Sequence, residues 1–336
     1  MKISEIGEFG LIARIAGLID RKSDKRQPAW KKLLIGAGDD SAAWETGYGV
    51  ELATTDILVQ DVHFNLEYTG WHDLGWKSLA ANLSDIAAMG GTPAYALISL
   101  ALPGSAEVEQ VMELYEGMLE LANKFGVAIS GGNISLADKI IINITVIGKA
   151  PGTKLLTRSA ARAGDAIAIT GHPGLSAAGL KVLADKLRVD TDAFNIFTRA
   201  HLRPVPRVLE ANVLVQAGIK AAIDTSDGLV SDLVHICEAS RVSATVLEPL
   251  LPLHPLLNKY FGAECMNLAL SGGEDYELIF TGERSTIERL KDKLACPVAI
   301  IGEISAGNPG MVTVLDFNNK PFQVDYKGWD HYRAAR

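Results

Sequence analysis

At 336 residues, with 48% hydrophobic and 21% charged side chains, the chain has the make-up of a soluble globular protein, enough for two domains of roughly 150 residues each. Its net charge of -8 and pI near 5.4 argue against nucleic acid or an anionic membrane as a partner, since both require clustered Lys and Arg; a phosphorylated small molecule held through bound cations stays open. The N-terminus lacks the pattern of a signal peptide, the longest apolar run (94–103) is about half a membrane span, and Cys237, Cys265 and Cys296 fit neither a disulfide framework nor a metal spacing, so a cytoplasmic protein with reduced thiols is expected.

Ile6, Phe9, Ile12, Ile15 and Ile19 recur at helical spacing after Ser4, predicting an amphipathic helix that ends in the charged loop 20–28. Residues 33–38 then lead into Asp39 and Asp40. Residues 50–55 read as a strand that delivers Asp56 at its end, and 73–89 as a helix that places Asn82 and Asp85 one turn apart on one face before Gly90, Gly91 and Pro93 stop it. A strand over 95–102, a helix over 107–124, a strand over 127–130 running into Gly131-Gly132-Asn133 and a β-branched strand over 140–147 complete the first half.

The texture changes at Pro151 and Gly152 and through the small, polar segment 157–164, after which a new series begins with a strand at 165–170. Helices are expected at 175–187, 207–216, 229–240 and 285–294, and strands at 220–223, 244–247, 277–281 and 298–303. This interleaving predicts an α/β (α+β) chain of two sandwiches, each with one sheet face covered by helices, divided into 1–150 and 151–336.

Four short clusters, Gly38-Asp39-Asp40, Thr54-Thr55-Asp56, Asn82-Leu83-Ser84-Asp85 and Asp224-Thr225-Ser226-Asp227-Gly228, sit where apolar runs meet small or flexible residues. Magnesium takes hard oxygen ligands, and nucleotide enzymes supply one or two carboxylates per ion while phosphates and waters fill the rest, so carboxylates delivered from separate strand and helix ends suit it. Each cluster taken singly reads equally well as turn chemistry or a helix cap. The chain carries neither the G-x-x-x-x-G-K-[ST] phosphate loop nor the protein-kinase motif set, so a nucleotide would be held chiefly through metal ions.

Gly131-Gly132-Asn133 offers backbone N–H groups to a phosphate or forms a plain turn. Gly272-Gly273-Glu274-Asp275-Tyr276 has the same two readings. Arg158 is either a bidentate phosphate ligand or a solvated arginine, His63 either touches substrate or packs beside Phe64, and Trp329 is either a terminal anchor or an aromatic platform for a ring.

In order along the chain, Gly7-Glu8-Phe9, Gly38-Asp39-Asp40, Thr54-Thr55-Asp56 with His63-Phe64, Trp76-Lys77, Asn82-Leu83-Ser84-Asp85, Gly131-Gly132, Arg158-Ser159-Ala160-Ala161-Arg162, His201-Leu202-Arg203-Pro204, Asp224-Thr225-Ser226-Asp227-Gly228-Leu229, Gly272-Gly273-Glu274-Asp275-Tyr276-Glu277-Leu278 and Lys327-Gly328-Trp329 closely resemble the thiamine-monophosphate kinase family. The aspartate-rich elements occur in looser form in aminoimidazole ribonucleotide synthetase and selenophosphate synthetase, whereas the Gly-Glu-Phe start, the His-Phe pair, the Gly-Gly-Glu-Asp-Tyr-Glu-Leu block and the Lys-Gly-Trp end are particular to the kinase.

The resemblance implies an aminoimidazole ribonucleotide synthetase-like fold of two domains, in which N-terminal domains pair across a homodimer into a barrel-like sheet and the C-terminal domain is an α/β sandwich. It implies ATP-dependent phosphorylation of thiamine monophosphate to thiamine diphosphate by direct in-line transfer, with several Mg2+ ions, and leaves a K+ requirement open. Carried over residue by residue, Asp40, Thr54, Thr55, Asp56, Asp85, Asp224 and Asp227 are the metal set, with Asp39 beside it. Gly131, Gly132, Asn133, Arg158 and Ser226 are nucleotide contacts, and His63, Glu274 and Trp329 are thiamine-phosphate contacts. No general base is nominated, because the acceptor oxygen belongs to a phosphate already ionised near neutral pH.

Two positions depart from the commonest pattern of the family. Asn133 stands where Asp is frequent, and Leu175, after Pro173-Gly174, stands where Asp is common and ligates nothing. Two other readings remain: a related ATP-dependent synthetase acting on another small nucleophile, and a sensor of nucleotide or thiamine phosphate that has lost catalysis.

Overall fold

The structure, a computed structural model, describes residues 3–22, 26–36 and 39–324. Gly38 and the Lys327-Gly328-Trp329 end lie outside the described residues. Helices α1 (Ile3–Lys22) and α2 (Pro28–Lys32) lead into β1 (Leu33–Ile35), β2 (Ala42–Thr46), β3 (Gly49–Val59), α3 (Trp71–Ala88), β4 (Thr92–Leu102), α4 (Val108–Phe125), β5 (Ala128–Leu136) and β6 (Ile141–Lys149). The strands form one sheet in the order β1-β2-β3-β6-β4-β5, antiparallel throughout except for the β4–β5 pair.

Side chains of this sheet alternate between faces, as strand geometry dictates. Ile142, Ile144 and Val146 of β6, Leu52, Thr54 and Leu58 of β3 and Ala96, Ile98 and Leu100 of β4 are buried on the face that α3 covers. The opposite face exposes Thr55, Ile57, Tyr95 and Leu97.

α3 is buried around nearly its whole circumference, because it packs on the sheet, on α4 and on elements of the second half of the chain. Gly75 and Gly117 make the α3–α4 crossing close: a Cβ on Gly75 would stand 1.9 Å from the Leu114 carbonyl oxygen, and one on Gly117 1.8 Å from that of His72.

The second half runs β7 (Ala166–Thr170), α5 (Leu175–Ala184), α6 (Thr191–Leu202), α7 (Val208–Gln216), β8 (Ala221–Asp224), α8 (Leu229–Ser240), β9 (Ser243–Leu247), α9 (Pro255–Phe261), α10 (Cys265–Ser271), β10 (Leu278–Gly282), α11 (Arg284–Leu290), β11 (Val298–Ser305) and β12 (Val312–Leu315). Its sheet has the order β12-β9-β11-β7-β10-β8, with only β12–β9 parallel. The apolar core of the first sheet continues through α3 into α7 and the facing residues Ala222, Leu278 and Phe280, so α3 is the element both sheets share. A second core lies on the other face of the second sheet beneath α8.

Both halves mix helix and strand, as the interleaving predicts, but a single covered face holds only for the first sheet: the second carries α3 and α7 on one face and α8 on the other, because α3 packs against both sheets. The strands β1, β2 and β12 and the helices α6, α9 and α10 go beyond the elements the periodicity suggests, although Asp190 capping α6 through Ala193 N is a legible start signal. Asp56 does not stand at a strand end but inside β3, paired with Ile144 in a ladder that runs on to Val59. Gly131, Gly132 and Asn133 do not follow a strand ending at Ser130 but lie inside the edge strand β5. The reason is a register shift against β4, with Gly131 at φ +149 and Gly132 so close to β4 that a Cβ would meet the Ile98 oxygen at 1.7 Å.

Candidate active site

Three of the four aspartate clusters, which come from β3, the end of α3 and the end of β8, converge with Asp39 and Asp40 in the seam between the sheets. One carboxylate oxygen from each of Asp40, Asp85 and Asp224 lies within 4.8 Å of the other two. The helical spacing that places Asn82 and Asp85 on one face of α3 turns both toward β3. Asn82 Oδ1 accepts from Asp56 N at 3.1 Å, and Thr54 Oγ1 donates to Asp85 Oδ2 at 2.5 Å. Ser84, on the same turn, donates its hydroxyl to Asp224 Oδ2 at 2.6 Å and so ties α3 to the second sheet.

Arg158 supplies the cluster's cation. Its Nη2 donates to Asp40 Oδ1 at 2.5 Å and its backbone N–H to Asp39 Oδ2 at 3.2 Å. Burial works against the guanidinium charge, but Asp40 and Asp39 overcome it and hold Arg158 above its ordinary pKa.

One arginine does not balance so many carboxylates. Burial, then repulsion from Asp40, pushes Asp224 up to about 8 and Asp56 up to about 6. Asp39 rises to about 6 for the same two reasons, and Asp85 is held well above the carboxylate range by burial and by Asp56, Asp224 and Asp40. Asp40 Oδ2 is buried with no hydrogen-bond partner. A buried, unpartnered carboxylate oxygen inside an all-oxygen donor set fits a hard divalent cation.

The loop after β8 and the loop before β10 extend the ladder between those strands. Thr225 N donates to the Glu277 oxygen, Tyr276 N to that of Thr225 and Glu274 N to that of Ser226, at 2.8 to 2.9 Å. This pairing places Ser226 and Asp227 beside Glu274. Asp232, which sequence reasoning did not single out, accepts from Asp227 N at 3.2 Å and Gly228 N at 3.0 Å, fixing the turn. Its signal was a carboxylate one turn into α8, where a helix N-terminus favours negative charge.

Glu274, at φ +63, forms a second centre. Lys77 Nζ donates to its Oε2 at 2.8 Å, and His201 Nδ1 stands 3.6 Å from the same oxygen. Burial alone would raise the Glu274 carboxyl, but the Lys77 ammonium holds it below its ordinary value. His63 Nδ1 accepts from Val59 N at 2.9 Å, which closes the end of β3. Tyr68, also unforeseen, is close enough to feel the Glu274 charge.

Other expected residues stand apart. The Thr55 side chain points to the opposite face of β3, where its hydroxyl donates to the Ile144 oxygen and accepts from Asn143 and Thr145. Gly132 shares a sheet row with Asp56 through Ile144 and Ile98, three strands and so about 14 Å away. Asn133 is exposed in the next row. Leu175 is the first residue of α5 and packs in the apolar cluster there, while the α5 amides of Gly174 and Ser176 donate to Asp275, whose carboxyl burial raises to about 7. Trp329 lies outside the described residues.

Residues 38–150 match the family model of the AIR synthase related protein N-terminal domain, and residues 162–314 that of the C-terminal domain. The chain is 38% identical over 309 residues to the thiamine-monophosphate kinase of Bacillus subtilis (strain 168), covering 89% of this chain and 94% of that one. It is 37% identical over 332 residues to that of Escherichia coli (strain K12), covering 97% and 98%. A solved structure described as AaThiL complexed with AMPPCP and TMP superposes with a TM-score of 0.85 at 33% identity, over 98% of this chain and 99% of the other.

Proposed function

The chain belongs to the thiamine-monophosphate kinase family, and we propose that it transfers the γ-phosphoryl group of ATP to thiamine monophosphate, giving thiamine diphosphate and ADP. The observation that carries this reading is the convergence of Asp40, Asp85 and Asp224 in the seam between the sheets, with Asp40 Oδ2 buried and unpartnered. A phosphate oxygen of the acceptor forms the new bond to the γ-phosphorus while the bond to the β,γ-bridging oxygen breaks, and that oxygen leaves on ADP.

Donor and acceptor are both highly anionic, so their approach requires charge neutralisation before alignment is of use. Asp40, Asp56, Asp85, Asp224 and Asp227 would hold Mg2+, which supplies that neutralisation when bound. The rest is the work of the chain. Thr54 and Ser84 orient the Asp85 and Asp224 carboxylates by hydrogen bonds of 2.5 and 2.6 Å. Arg158 sits at the rim with a charge that burial does not remove, suited to the nucleotide phosphates. Glu274, kept ionised by Lys77, faces the organic part of the acceptor together with His63.

We further assign a homodimer. The exposed apolar residues Ile57, Tyr95 and Leu97 on the uncovered sheet face, with Ile134 and Leu136 on the edge strand β5, support pairing with a second copy. The cytoplasm supplies ATP and keeps thiols reduced, which suits the free, buried Cys237, Cys265 and Cys296.

The test is formation of thiamine diphosphate from thiamine monophosphate and ATP, with and without Mg2+ and K+ and with thiamine as control acceptor. Magnesium-dependent product from the monophosphate alone is expected. Product from another acceptor only, or tight ligand binding without product, rejects the assignment.

A further inference from the structure

Trp76-Lys77 and His201-Leu202-Arg203-Pro204 come from opposite halves of the chain, and the structure joins them into one junction. Trp76 Nε1 donates to the Pro204 oxygen at 2.7 Å. The Arg203 guanidinium lies 4.4 Å from the Trp76 ring centroid, pairs with Glu120 of α4 and stands 3.7 Å from Asp73.

The junction seals Lys77 to 1% exposure. An ammonium group that deep has to be partnered, and its partners are Glu274 Oε2 at 2.8 Å and His201 Nε2 at 3.4 Å. Because an ammonium can only donate, His201 Nε2 accepts and the ring proton sits on Nδ1. That nitrogen faces Ser176 Oγ at 3.2 Å and Glu274 Oε2 at 3.6 Å. Burial, then Lys77, pushes His201 down to about 3, so the ring is neutral in this arrangement. Lys77 therefore donates directly to one oxygen of Glu274, and His201, which accepts from that ammonium and is itself set by Ser176, orients the donor; the Glu274 side chain keeps 30% of its surface open.

We propose that Lys77 and His201 are positioning residues that hold Glu274 as an ionised, oriented carboxylate for the acceptor, so that recognition of its cationic thiazolium portion is set at the junction between the halves. This rests on the reading that Glu274 meets the thiamine moiety. The nucleotide side of the site, built on Asp40, Asp224 and Arg158, shares none of these contacts.

The experiment is a steady-state comparison of the full-length unaltered enzyme with Lys77→Met, Glu274→Gln and the double variant, varying thiamine monophosphate and ATP separately. Lys77→Met is expected to raise KM for thiamine monophosphate about tenfold and to leave KM for ATP within about twofold. The double variant should be no more than about twofold worse than Glu274→Gln alone, because Lys77 acts through that carboxylate.

An unmoved KM for thiamine monophosphate in Lys77→Met, equal rises for both substrates, or multiplying effects in the double variant overturn the proposal. Should Lys77→Met fail to fold, His201→Asn carries the same test with an expected three- to tenfold rise, and an unmoved KM there overturns it. Turnover by the unaltered enzyme is read first, so that its absence strikes the proposed function and an unmoved KM in a working enzyme strikes this inference alone.

Discussion

Asp224→Asn is the sharpest probe of the carboxylate cage, because it should stabilise the fold while removing the activity. Asp224 is 2% exposed, accepts from Ser84 and stands within 4.8 Å of Asp40 and Asp85 through one oxygen each. Its carboxyl is lifted from 3.8 to about 8, by burial first and Asp40 second. Each tenfold change in an acid constant corresponds to about 1.4 kcal/mol, so ionising Asp224 in the metal-free protein opposes folding by up to about 5 kcal/mol. Asp40, Asp56 and Asp85 share that repulsion, so removing one charge should recover about 2–3 kcal/mol at pH 8, which for a chain of this size is a rise of about 3–4 °C in thermal midpoint.

Asparagine retains an oxygen for the Ser84 hydroxyl, which leaves the geometry in place. Turnover should nevertheless fall by a factor of about 100 or more, since a charge that holds the cation is gone. The assays are thermal unfolding with and without chelator at pH 8, and thiamine diphosphate formation at saturating Mg2+. A metal-free midpoint that does not rise, or Mg2+ that stabilises the variant as much as the parent, would refute the argument that like charge is stored here for a metal.

Three further outcomes follow from the same geometry. Between about pH 4 and 8 the folded, metal-free chain holds protons that the unfolded chain has lost, at Asp56 up to about pH 6 and at Asp224 up to about pH 8, so its stability should fall as pH rises through this window. Mg2+ must displace those protons, so calorimetric titration should show affinity at least about tenfold weaker at pH 6 than at pH 8; a flat dependence would remove these carboxyls from the ligand set. Gly117→Ala places a Cβ 1.8 Å from the His72 carbonyl oxygen and forces α3 away from α4, an expected loss of about 1–3 kcal/mol read by chemical denaturation, and an unchanged midpoint would mean the crossing can relax. Arg158→Lys keeps the charge but not the fork that reaches Asp40, and should raise KM for ATP about tenfold while sparing KM for thiamine monophosphate; equal effects on both would contradict the nucleotide role.

Much of the site could be read along the chain because its parts are local. The helical spacing of Asn82 and Asp85 fixes their common face, and the Asp224–Gly228 cluster is a short-range pattern of apolar run and turn residue, whereas Asp56 lies inside β3, which runs on to Val59. Thr55 was harder to place, since the Thr-Thr-Asp cluster reads as one unit while the twofold period of a strand sends its middle member to the other face. The segment Gly131-Gly132-Asn133 resembled a phosphate turn because two glycines permit either a turn or a bulge, and only the neighbouring β4 backbone selects the bulge.

Composition, motif order and periodicity by themselves determined the mixed helix–strand class, the family and the aspartates that gather in the site, because each is written within a few residues of sequence. The tertiary structure decided what depends on neighbours distant in the chain. Asp40 and Arg158 face each other across 118 positions, Ser84 reaches Asp224 across 140 and Lys77 meets Glu274 across 197. The shifted carboxyl pKa values and the burial of Lys77 exist only once those groups share a medium from which water is excluded, and no pattern along the sequence encodes that exclusion.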